Sequence, residues 1–102
     1  MKKILLTALA SSAVLAATLS TASAADVPAK VKTCVGCHGV GGNSLVPNFP
    51  KLAGQHAAYI EKALKDFRDG FRKDSTMQTF AKGLTDEEIK ELANYYSSQK
   101  QK

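Results

Sequence analysis

Apolar and polar positions divide this chain into distinct regimes. Residues Ile4 to Leu19 form an uncharged, largely apolar run of 16 residues behind Lys2 and Lys3. Val27, Val31 and Val35 then recur every fourth residue, a spacing that predicts a short helix leading into a pair of cysteines. Gly36, Gly39, Gly41, Gly42, Pro47, Pro50 and Gly54 follow, and that density of breakers predicts a long loop. From Gln55 the period is helical again. Ala57, Ile60, Leu64, Phe67 and Phe71 share one face, Glu61, Lys62, Lys65, Asp66, Arg68 and Asp69 lie mostly on the other, and the helix is predicted to stop near Gly70. Arg72 to Thr76 is irregular, and a short turn is predicted at Met77 to Lys82. Thr85-Asp86-Glu87-Glu88 reads as a capping box opening a helix with Ile89, Leu92, Ala93 and Tyr96 on one side. The polar tail from Ser97 to Lys102 is predicted to fray.

No alternating run of strand length occurs, so the predicted fold is all-α: three principal helices joined by long loops. The length of 102 residues holds one domain. The N-terminal run, with its basic start and small residues at Ala22-Ser23-Ala24, has the layout of a secretory signal peptide. Residues 1–24 are therefore expected to be removed and residues 25–102 to act in the periplasm. An uncleaved anchor is the rival reading, but the run falls short of the roughly 20 strongly apolar residues a span needs. No other stretch is long or apolar enough to cross a bilayer.

Export changes the charge. The full chain has 14 Lys and Arg against 9 Asp and Glu, a net +5; without Lys2 and Lys3 the remaining 78 residues hold 12 against 9, a net +3. A large nucleic-acid-binding surface is therefore not expected. A core in so short a chain rarely supplies more than ~3–5 kcal/mol, so a disulfide, a metal or another staple is needed.

Cys34-Val35-Gly36-Cys37-His38 is C-x-x-C-H, the spacing of covalent haem attachment. Two thiols three residues apart reach the two vinyl groups on one edge of a porphyrin, and the next residue lies under the iron. His38 then supplies the proximal imidazole. Three other readings compete. A Cys34–Cys37 disulfide would close a very small loop. A thioredoxin-like pair belongs beside a βαβ pattern, which this chain lacks. A zinc site needs a fourth ligand, for which His56 is the remaining histidine.

The sixth iron position separates electron carriage from catalysis, because a thioether there closes the iron and raises its potential. Met77 is the one methionine beyond the signal region, 39 residues past His38; its other reading is a core filler. His56 is a weaker candidate, in the first turn of a helix where a solvated or capping role fits.

On C-V-G-C-H and the lone downstream methionine the chain resembles a class I c-type cytochrome of the short bacterial periplasmic, single-haem kind. The resemblance extends to Pro47-Asn48-Phe49-Pro50-Lys51-Leu52-Ala53-Gly54-Gln55, to the stretch from Met77 to Ile89, and to Leu92-Ala93-Asn94-Tyr95-Tyr96. It implies His38 and Met77 as axial ligands, Cys34 and Cys37 as thioethers to one haem c, and Val31 and Val35 meeting Leu92 and Tyr96 where the first and last helices cross. It also implies that the Pro50 carbonyl accepts from His38, with Pro47 the rival acceptor. Two-haem relatives carry two such domains, whereas one C-x-x-C-H and no repeat implies one haem here.

The expected function is a soluble one-electron carrier, not an enzyme, moving between a membrane respiratory donor and a terminal oxidase or reductase as a monomer or weak homodimer. A haem enzyme or ligand sensor with a displaceable sixth ligand, or a cytochrome subunit of a larger oxidoreductase, are the alternatives. Lys30, Lys32, Lys51, Arg72, Lys73 and Lys82 form a candidate docking patch, against the plain reading of solvated surface; ionised haem propionates would bring the net charge to about +1.

Overall fold

The computed structural model describes residues 27–102, so the signal-peptide assignment lies outside the described residues. Helix α1 spans Val31–His38, α2 Ala57–Asp69, α3 Ser75–Ala81 and α4 Asp86–Ser97, with a 3₁₀ turn at Val40–Gly42 and no strand among the described residues. The fold is all-α, as the periodicity implies. None of these helices is long and apolar enough to cross a membrane.

Three local departures have identifiable causes. Val27 is exposed and precedes α1, so the helix begins a turn later than the valine spacing indicates and takes in both cysteines and His38. Phe71 is 82% exposed because Gly70 adopts φ +84°, ends α2 and swings the chain off the apolar face that Phe67 still occupies. The turn predicted at Met77 to Lys82 is a helix starting at Ser75. Asp74 caps it, its carboxylate accepting from the Met77 amide at 2.9 Å.

The core forms where α2 and α4 pack together and α1 closes over them. Ile60 and Phe67 from α2 meet Ile89, Leu92, Ala93 and Tyr96 from α4, and Val31 joins the same cluster with Val35 packed against it. Lys30 at the head of α1 approaches Glu88 of α4 at 3.7 Å. On the outer side, Arg68 of α2 reaches the Leu84 carbonyl at 3.2 Å and the Asp86 carboxylate at 2.7 Å, which fixes the α3–α4 turn.

Both bonds of the capping box are present: the Glu88 amide donates to Thr85 Oγ1 at 3.1 Å and the Thr85 amide to Glu88 Oε1 at 3.0 Å. Thr85→Ala is expected to lower stability by about 1 kcal/mol in denaturant titration. The Thr85 amide, aided by Lys30, holds the Glu88 carboxyl below its ordinary 4.5. A lowered folded-state value means stability that is fully present above pH 4.5 and is lost as pH falls through the lower folded value. Denaturation midpoints measured across this acid range should fall less steeply in Glu88→Gln than in the parent.

The tail does not fray as expected. The Lys102 amide donates to Asn43 Oδ1 at 2.8 Å, Asn43 Nδ2 donates to the Lys100 carbonyl at 3.0 Å, and Lys51 Nζ donates to the Lys102 carbonyl at 2.8 Å. Residues 100–102 are thereby tied to the loop between α1 and α2.

Candidate haem site

Helix α1 places Cys34 and Cys37 three residues apart, on one face, with His38 as its last residue. Both thiols are free and half-buried, so no disulfide joins them. His38 is 7% exposed, and its Nδ1 lies 2.8 Å from the Pro50 carbonyl oxygen. A carbonyl oxygen only accepts, so Nδ1 is the donor in this bond and Nε2 is the ring nitrogen left to meet a ligand. Pro50, rather than Pro47, makes this contact.

That proline is presented by a loop with a closed neck. The Gly42 carbonyl accepts from the amides of Leu52 and Ala53 at 2.8 and 3.1 Å, and the Gly54 amide donates to the Tyr96 carbonyl at 3.0 Å, which anchors the loop on α4. Gly42 has φ +76°, and a Cβ there would meet the Ala53 backbone nitrogen and the Tyr96 ring, both at 2.8 Å. Only glycine fits. Within the loop Ser44 Oγ accepts from the Val46 amide and donates to the Val46 carbonyl, which fixes the turn leading to Phe49.

These elements wall a largely apolar cavity of about 390 Å³, in the usual range of roughly 300–1,000 Å³ for cofactor sites. Cys34, Cys37 and His38 line it from α1, Pro50 from the loop and Met77 from α3. Met77 is half-buried within α3. His56 does not line the cavity. It is exposed at the head of α2, caps nothing with its ring, and its amide donates to Gln55 Oε1. Among the described residues no group of three or more His, Cys, Asp or Glu is placed to hold a metal ion, which leaves the zinc reading without a ligand set.

Of the six candidate docking cations, Lys51 and Arg72 also line the cavity, while Lys30 faces Glu88.

Sequence reasoning missed one polar atom. Tyr96 is 1% exposed, lines the cavity, and its hydroxyl has no partner. Burial pushes its phenol above the ordinary value, so the group stays a neutral donor. An unpaired buried hydroxyl costs about 1–3 kcal/mol, an arrangement suited to a cavity whose occupant brings an acceptor. The hint in the sequence was a tyrosine on a helix face otherwise occupied by Ile89, Leu92 and Ala93.

An all-α chain wrapped around an apolar cavity, with two free thiols and a proton-directed histidine in its wall, defines a c-type haem protein. Comparison with known proteins agrees. The family described as Cytochrome c matches residues 24–100. The chain is 49% identical over 73 residues to cytochrome c-554(548) of Halomonas halodenitrificans, covering 69% of this chain and 88% of that one. It is 53% identical over 66 residues to cytochrome c4 of Thiocapsa roseopersicina, covering 65% of this chain and 34% of that one. The crystal structure of reduced recombinant cytochrome c4 from Pseudomonas stutzeri superposes with a TM-score of 0.60 at 40% identity, over 66% of this chain and 38% of that one. The chain thus spans most of the first relative but 34% and 38% of these two cytochromes c4.

The chain belongs to the cytochrome c family. It carries covalently bound haem c with its iron and is an electron-transfer protein, not an enzyme.

Proposed function

We propose that this chain is a soluble periplasmic carrier of single electrons, with Cys34 and Cys37 as the thioether attachment points and His38 and Met77 as the axial ligands. The observation that carries this reading is the convergence of all four side chains on one cavity, three from α1 and Met77 from α3, with His38 already committed through Nδ1 to Pro50. When bound, haem c supplies an iron that gains and loses one electron. The Pro50 carbonyl orients the imidazole and raises its basicity, and the loop neck at Gly42 holds that carbonyl in place. Met77 offers a soft, neutral sulfur that favours the reduced form. Ile60, Phe67 and Leu92 keep water from the same space.

With both ligands supplied by the chain, no side chain has to move between oxidation states, and reorganisation stays small. The partners are redox proteins: a membrane respiratory donor and a terminal oxidase or reductase acceptor. Exposed Lys32, Lys73 and Lys82 make no ion pair among the described residues and are available to steer docking at a small, transient interface. Carbon monoxide added to the reduced protein is expected to bind slowly and incompletely. Rapid stoichiometric binding would instead identify a ligand sensor or haem enzyme with a displaceable sixth ligand.

A further inference from the structure

The loop between α1 and α2 returns on itself at a neck, where the Gly42 carbonyl holds the amides of Leu52 and Ala53, and Pro50 lies just inside it. The chain beyond α4 crosses that neck and grips both of its arms. On the entering arm the Asn43 side chain uses both ends: Oδ1 accepts from the Lys102 amide at 2.8 Å and Nδ2 donates to the Lys100 carbonyl at 3.0 Å. On the leaving arm Lys51 Nζ donates to the Lys102 carbonyl at 2.8 Å, and a Cβ on Gly54 would stand 3.3 Å from Gln101 Cγ. The crossing segment is itself rooted on α4, because the Gln99 amide donates to the Tyr96 carbonyl and Gln99 Nε2 to the Tyr95 carbonyl.

Gln99, Lys100, Gln101 and Lys102 carry no apolar side chain, so these hydrogen bonds, and not burial, lay them on the loop. The loop has little else on its outer side: Leu45, Val46, Phe49 and Pro50 are all exposed. Yet the Pro50 carbonyl has to stay 2.8 Å from His38 Nδ1. We propose that residues 99–102 form a strap over the neck, and that Asn43 is a positioning residue for His38, holding the Pro50 carbonyl in place and so tuning the reduction midpoint. This inference rests on the haem reading of the cavity and deepens it. The bond to Pro50 raises the basicity of the imidazole, and a more basic ligand favours ferric iron. Loosening the strap therefore favours the reduced form.

The test compares the full haem-loaded chain with Asn43→Ala, Asn43→Asp and Thr85→Ala, the last weakening the fold through the capping box of α4 instead of the loop. Hydrogen exchange of the His38 Nδ1 proton in the reduced protein is followed by NMR, together with the reduction midpoint and the denaturation midpoint. Asn43→Ala should speed that exchange by about five- to tenfold, the effect of losing modest hydrogen bonds. It should also raise the equilibrium constant for reduction by about threefold, or ~28 mV for one electron. Asn43→Asp keeps an acceptor for the Lys102 amide but no donor for the Lys100 carbonyl, so it should fall between; it carries the test if Asn43→Ala does not fold. Thr85→Ala should leave the exchange and the reduction midpoint at the parent values. Unmoved Nδ1 exchange in both Asn43 variants, or equal acceleration in Thr85→Ala at equal loss of stability, overturns the positioning role. A parent chain that attaches no haem overturns the haem reading, and this inference with it.

Discussion

The Cys34→Ala/Cys37→Ala chain is expected to retain no haem through acid extraction and to lose most of its far-UV helical signal. The buried cluster is small, and a cavity of about 390 Å³ opens into it. Without an occupant, Ile60, Phe67 and Leu92 lose the partner atoms on one side, and the Tyr96 hydroxyl stays buried and unpaired. A core of this size offers at most ~3–5 kcal/mol, and these losses are of the same order. Either single cysteine variant keeps one thioether and should be intermediate in both haem retention and helicity. Native-like helicity in the haem-free double variant would show that α2 and α4 pack well enough alone, and that the cavity is not the missing core.

Met77→Ala should produce the second-largest effect. Replacing the thioether by a methyl removes the soft ligand that favours ferrous iron, so the midpoint potential should fall by roughly 0.1–0.3 V, within the ~0.8 V range that axial ligands span. The same variant should bind carbon monoxide rapidly in its reduced form. Its helices should persist, since Met77 is only half-buried beside the cluster and the Asp74 cap accepts from a backbone amide that alanine retains. A midpoint unchanged within a few millivolts would return Met77 to the role of core filler.

What was legible in the sequence followed the range of the interaction involved. The capping box at Thr85 and Glu88 and the stop at Gly70 are set by bonds within one turn of chain, and both stand where the pattern places them. The cysteine pair and His38 are likewise local, because helical spacing alone puts them on one short segment. Phe71 and Val27 were misplaced because periodicity extends a face past its real ends: a left-handed glycine redirects the first, and the second lies before the helix begins. The start of α3 depended on reading Asp74 as a cap in a stretch that otherwise shows no pattern.

Long-range contacts were the illegible part. Asn43 holding residues 100–102, Gly42 closing the loop neck against Tyr96, and Arg72 lying over Phe67 each join segments with no shared period. By charge alone Arg72 groups with the surface lysines; its place in the cavity lining, beside Phe67, comes only from the fold.

The most direct test of axial ligation by His38 and Met77 is the optical spectrum of the oxidised, haem-loaded parent protein in the far-red region. A weak charge-transfer band from methionine sulfur to ferric iron, abolished in Met77→Ala, is the predicted result. A parent spectrum without that band, or a band that survives Met77→Ala, would contradict it.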